Sequence, residues 1–221
     1  MSKSKWLEVP YLRGRIHQCA CFFSITTLLC FLFSVIFKGK KFSPAILIYL
    51  SSQIVLFGSS SYYHLYKKAD KFKFFLQRLD HATIFILISG TQTAFFLVFV
   101  SDKSKILKFL ISTWVISIIG CVRAIFMSPD NNLINISFYI VHGLLVLPFM
   151  HIILKNMERF DLTFAILGGF FYIAGGIMFG LEYPSLFSKV FGFHEFWHLM
   201  TVIANSFFFI PIFKKFINDL K

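Results

Sequence analysis

The stretch Phe191-Gly192-Phe193-His194-Glu195-Phe196-Trp197-His198 opens the last apolar segment of the chain. On a helix His194 and His198 sit one turn apart on one face, the spacing at which two imidazoles share a metal ion. Thr201 and Asn205 continue that face at helical intervals, so a polar stripe runs inward along an otherwise apolar helix. A helix of this kind needs neighbours that turn polar groups toward it, and the remainder of the chain is read for those neighbours.

The chain of 221 residues is 57% hydrophobic and 14% charged, with a mean hydropathy of +0.74. A soluble domain of that length needs far more charge to cover its surface, so the fold class is an all-α integral membrane protein. A helix needs about 20 apolar residues to cross the hydrocarbon core. Seven segments qualify, at about 18–37, 44–66, 81–100, 106–127, 133–154, 162–182 and 194–213. They predict a seven-transmembrane-helix bundle over 18–213, preceded by an N-terminal segment, 1–17, and followed by a short basic tail, 214–221. The first seventeen residues carry no apolar core with a cleavage site, so the first apolar segment is expected to remain as a transmembrane helix. Cys19, Cys21, Cys30 and Cys121 fall in apolar stretches without a Cys-x-x-Cys and read as small apolar residues.

The net charge of +12 does not indicate nucleic acid. Lys and Arg lie in short clusters between apolar runs, as expected for contact with lipid head groups. Counted by side, they divide eleven to eleven. Over the first four flanks the side holding the N-terminus leads by nine to six, which favours a cytosolic N-terminus and a C-terminus on the opposite side. The plasma membrane is the expected location.

Ser60-x-x-x-His64 ends the second segment and Arg78-Leu79-Asp80-His81 begins the third. Counting seven passes brings the end of the second helix and the starts of the third and seventh to one face of the membrane. His64, Asp80, His194 and His198 therefore converge whichever way the bundle is oriented. Gln53, Ser60 and His64 share one side of the second helix, and Asp80 and Thr91 nearly align on the third. Polar residues in lipid turn toward a bundle interior or a wet cavity, so three helices are expected to line one cavity. Three neutral imidazoles bind Zn2+ tetrahedrally and leave the fourth position to water. Asp80 is the candidate base for that water, and Ser60, one turn before His64, the candidate partner of a ligand or a developing oxyanion. His81 points about 100° from Asp80, in an interfacial or supporting position. His17 reads as a boundary histidine, His142 as a cavity-lining one, and Arg123 as reaching the head groups. His194-Glu195-Phe196-Trp197-His198 also fits His-Glu-x-x-His, which makes an intramembrane metalloprotease with Glu195 as base a rival reading.

These residues resemble the hemolysin III proteins, within the progestin and adipoQ receptor family. The resemblance rests on Pro10-Tyr11-Leu12-Arg13-Gly14 with His17, Ser60-x-x-x-His64, Arg78-Leu79-Asp80-His81-Ala82-Thr83-Ile84 through Ser89-Gly90-Thr91-Gln92-Thr93, Gly168-Gly169, Tyr172, Gly175-Gly176, and the stretch from Phe191 to His198. It implies seven helices with the N-terminus cytosolic and a zinc ion near the cytosolic face held by His64, His194 and His198. It also implies roles beside the zinc for Asp80 and Ser60. Gln92 stands where bacterial relatives commonly carry tyrosine, and animal receptors of the family can carry Gln in place of Glu195, which speaks against a base role there. The wider likeness to alkaline ceramidases implies a zinc-dependent lipid amide hydrolase active in membrane lipid homeostasis. Its substrate would be a ceramide-like or other acyl lipid lying between the helices. A lipid-sensing or signalling protein with structural zinc and a membrane-permeabilising hemolysin are the other classes. A pore calls for a polar lining along several helices, whereas polarity here gathers at one end.

Overall fold

Asp70 and Asp102 cap the third and fourth helices in the computed structural model, which describes residues 9–127, 132–187 and 189–218. The first eight residues of the N-terminal segment and the last three of the basic tail lie outside the described residues. Helix α1 spans Arg15–Lys38 and α2 Pro44–Leu65; α3 spans Lys71–Phe99 and α4 Lys103–Phe126. The fifth crossing is α5, Asn132–Leu144, a 3-10 turn, Leu147–Phe149, and α6, Met150–Leu154. Helices α7, Arg159–Gly180, and α8, Phe193–Asn218, complete the chain. Seven spans are long and apolar enough to cross a membrane, with no named strand among the described residues. The seven-helix class expected from the sequence is the observed one.

Most boundaries differ from the expectation by a few residues, and three differences have a local reason. The third span, expected over 81–100, is helical from Lys71, because the Asp70 carboxylate accepts from the backbone N–H of Lys73 at 3.0 Å. Asp102 does the same for Ser104 and Lys105, at 3.0 and 3.2 Å, and starts α4 at Lys103 rather than at 106. The expected single helix over 133–154 is broken after Leu144, close to Pro148, which has no backbone N–H to donate. Gln92 repairs part of the break: its amide donates to the carbonyls of His142 and Gly143, at 3.0 Å each.

Helix α2 packs along α1 and α3, α3 along α4, and α7 along α8, while α5 touches its neighbours more thinly. The apolar core gathers at one end of the bundle, around Tyr49, Phe96, Phe99, Phe109, Ile153 and Ile212. Phe96 and Phe109 stack there at 3.6 Å between centroids. The opposite end, where α1, α3 and α8 begin and α2 finishes, holds the buried polar residues described next.

Candidate metal centre

His64 comes from the last turn of α2, and His194 and His198 from the first two turns of α8. Their ligand atoms lie within 4.8 Å of one another, with the Nε2 atoms of His64 and His194 3.1 Å apart. At a Zn–N distance of 2.0–2.1 Å, tetrahedral ligands sit about 3.3 Å apart, so this spacing fits a shared ion. Asp80 enters from α3, its Oδ2 3.6 Å from His64 Nε2. The Ser60 hydroxyl faces the Asp80 carboxyl. Counting passes predicts that His64, Asp80, His194 and His198 converge, and they do: Ser60, Asp80, His194 and His198 line one cavity, and His64 lies against His194 and Asp80. The three histidines form a cluster that can hold a metal ion.

That cavity has a volume of about 330 Å³. Its polar end carries Ser60, Asp80, His194 and His198; from there it runs past Thr91 to Phe95 and Phe208. Asp80 to Phe95 is fifteen residues of α3, about 22 Å at the helical rise, which is most of the roughly 30 Å hydrocarbon core. Leu144 and Leu147 on one side and Ile166 and Ile173 on the other line the cavity and are also exposed. The cavity wall is therefore open to hydrocarbon between the broken fifth crossing and α7.

Two features fix the ligand-bearing ends. Lys73 is buried, and its Nζ donates to the carbonyls of Tyr63 and, at 2.7 Å, Tyr66. A cation thereby satisfies the free C-terminal carbonyls of α2 beside His64. On the other side, Tyr11 and Leu12 donate backbone N–H groups to the carbonyls of Lys189 and Val190, at 3.0 and 3.1 Å. This lays the N-terminal strand of chain across the loop that leads into α8. Arg13 Nε pairs with Glu195, whose side chain is fully buried. The other Glu195 oxygen accepts from the backbone N–H of Gly192 at 2.8 Å. Glu195 is thus committed to a structural pair, which does not suit the metalloprotease reading.

Several sequence readings change. His17, read as a boundary histidine, is 3% exposed, and its ring stacks on His198 at 3.8 Å and 7°. His142 is fully buried off the cavity, with Nε2 at 3.2 Å from Ser89 Oγ and 3.1 Å from Thr113 Oγ1. Arg123 turns inward, donating to Asn135 Oδ1 at 2.8 Å and lying over the Phe138 ring. His81 lines the cavity. Of the polar stripes, Thr91 and Thr201 face the cavity. Gln53 instead accepts from Ser24 at 2.8 Å, and Asn205 donates to the Tyr172 hydroxyl at 2.5 Å, so both tie helices together.

The chain matches the family model described as haemolysin-III related over residues 5–209. It belongs to that family. Hemolysin-3 of Bacillus cereus is 26% identical over 134 residues, 61% of this chain and 58% of that protein. The Hemolysin-3 homolog of Bacillus subtilis (strain 168) is 26% identical over 163 residues, 73% of this chain and 72% of its own length. The match therefore spans less than two thirds of the first relative. Family membership agrees with the seven apolar helices: this is a multipass integral membrane protein. The haemolysin-III match takes in both elements of the three-histidine cluster, the end of α2 and the start of α8, as well as the Arg13–Glu195 pair.

Proposed function

We propose that this chain is a zinc-dependent hydrolase of lipid amides, ceramidase-like in plan, acting on an acyl lipid drawn from the membrane. The carrying observation is the juxtaposition of the three-histidine cluster, Asp80 and Ser60 with a deep apolar cavity open sideways to lipid. His64, His194 and His198 would hold the ion. When bound by three imidazoles, zinc acidifies a water and polarises a carbonyl oxygen. The Asp80 carboxylate accepts the proton of the attacking water and returns it to the departing amine. Ser60, facing Asp80, orients that carboxylate or donates to the oxygen that gains charge. The apolar length of the cavity takes the acyl chain and holds the amide at the polar end, which supplies the orientation that a two-component reaction otherwise lacks. The likeness to alkaline ceramidases supports the same roles, as it does a cytosolic N-terminus and a place in membrane lipid homeostasis.

Purified protein assayed for zinc content and for fatty-acid release from a panel of ceramides and other lipid amides and esters tests this reading. We expect about one zinc per chain and zinc-dependent release, both lost in the His194→Ala/His198→Ala double variant. Asp80→Asn is expected to keep zinc and lose turnover. Stoichiometric zinc with no turnover on any lipid would replace the hydrolase with a lipid sensor. A folded protein without zinc would sink the site.

A further inference from the structure

His17 is an oddity that neither the metal cluster nor the packing explains. It stands in the first turn of α1, 3% exposed, between the His198 ring at 3.8 Å and the Phe57 ring at 4.9 Å. Neither Nδ1 nor Nε2 makes a hydrogen bond of good geometry to any described residue, and the backbone of His198 offers the ring only a weak polar contact. A neutral imidazole always offers one donor and one acceptor, and a buried polar atom left unpaired is destabilising and calls for a missing partner. A phenyl ring would fill the same slot without that penalty. Placing an imidazole here is sensible only when something else completes its hydrogen bonds.

The position is also built rather than incidental. Gly14, three residues earlier, has φ +77 and lies so close to α2 that a Cβ on it would stand 2.8 Å from the Cβ of His64. The Arg13–Glu195 pair and the backbone bonds of Tyr11 and Leu12 fasten the same stretch to the start of α8. Residue 17 is thereby held against the cluster from two sides.

A ligand role to the metal does not fit. Imidazole lone pairs lie in the ring plane, and the planes of His17 and His198 are 7° apart and stacked. An ion in the plane of His198 lies a full ring spacing off the plane of His17. What His17 can reach is a group one layer away from the ion, at the polar end of the cavity that it lines together with Ser60 and Asp80.

We infer that His17 is a substrate-binding residue, its imidazole hydrogen-bonding the carbonyl or carboxyl head of a long-chain acyl lipid whose tail lies in the cavity. The inference rests on the lipid-binding part of the proposed function. It deepens that reading by naming the residue that recognises the head and the class of head recognised.

Equilibrium binding of tritiated palmitate to zinc-loaded, detergent-purified protein tests it without turnover, with zinc affinity measured in parallel by chelator competition. His17→Phe, which keeps the ring stack, is expected to hold zinc within about twofold of the wild type and to lose palmitate affinity by about tenfold or more. That size corresponds to one lost hydrogen bond to a charged head. His17→Gln, which keeps a donor and an acceptor, is expected to recover most of that loss. Equal palmitate affinity in wild type and His17→Phe would overturn the inference and leave His17 a packing residue. Loss of zinc from both variants would overturn it in favour of a metal-centre role. If the phenylalanine variant does not fold, His17→Leu against His17→Gln makes the same comparison. A wild type that holds zinc and takes up no palmitate would overturn the lipid-binding reading itself, and this inference with it.

Discussion

Replacing Glu195 by glutamine separates the two readings of the His-Glu-x-x-His letters. Its carboxylate is fully buried, paired through one oxygen with Arg13 Nε and through the other with the Gly192 N–H. Glutamine has the same shape and keeps an acceptor for Gly192, but turns an NH2 donor toward the Arg13 donor. Breaking a buried pair from one side costs about 3–5 kcal/mol. The Arg13 side chain is 22% exposed and can relax toward water, which lowers the expected loss to about 2 kcal/mol. For a chain of this size that is a fall in Tm of roughly 4–8 °C, read by thermal unfolding of the zinc-loaded protein in detergent. In an Arg13→Met background the same substitution is expected to cost less than half as much, because the charge it strands is gone. Fatty-acid release is expected to stay within about fivefold of the wild type, since Glu195 faces the N-terminal segment and not the reacting groups. A Tm that does not move, with turnover reduced a hundredfold or more at unchanged zinc content, would refute this reasoning and restore Glu195 as a base.

Gly14→Ala is expected to weaken zinc binding although residue 14 touches no ligand atom: left-handed φ costs an alanine about 1–2 kcal/mol, and its Cβ would press on the Cβ of His64 from 2.8 Å. Competition with a zinc chelator checks it, and an affinity equal to the wild type counts against the close approach of α1 and α2. Gln92→Leu removes the donors that satisfy the carbonyls of His142 and Gly143, together with the acceptor of the 2.6 Å bond from Thr113. About 1–2 kcal/mol of local stability is expected to go, seen as faster amide hydrogen exchange over 143–150 with exchange in α2 and α3 unchanged.

The sequence was legible where burial in lipid leaves one solution. Seven apolar runs read as seven crossings because hydrocarbon admits helices and little else. The meeting of His64, Asp80, His194 and His198 followed from counting which ends share a face. Asp70, Asp102 and Pro148 were legible in principle, as caps and a breaker, and were outweighed by the apolar pattern that sets the broader limits of each span. His17, Arg123 and His142 were not legible. Their fates depend on how each helix is rotated about its axis and on partners far away in sequence, such as the His17–His198 stack. The Arg13–Glu195 pair joins residues 182 positions apart, and neither residue shows any period or motif that points to the other. Glu195 sat inside a motif that pointed elsewhere.

The two halves of the bundle are built to different tolerances, and that difference bears on mechanism. Between α2 and α3 the contact is close enough that a Cβ on Gly90 would stand 2.4 Å from Ser52 Oγ. Ser59 and Thr83 bond across the same interface at 2.8 Å. These two helices carry His64, Ser60 and Asp80, groups whose separation a reaction has to hold within a fraction of an ångström. The other wall is α7 and a fifth crossing whose helix stops at Leu144 and resumes at Met150. It carries none of the five candidate site residues; α7 packs closely on α8, but the fifth crossing touches its neighbours thinly, and there the cavity meets the membrane. A closely packed wall bearing His64, Ser60 and Asp80 that faces a thinly packed, mostly apolar fifth crossing is the arrangement that lets a lipid enter and leave without disturbing the geometry that acts on it. The Gln92 bonds to the broken crossing then set how readily that crossing yields, so Gln92→Leu is expected to speed palmitate entry and exit together, while its equilibrium affinity changes less than either rate.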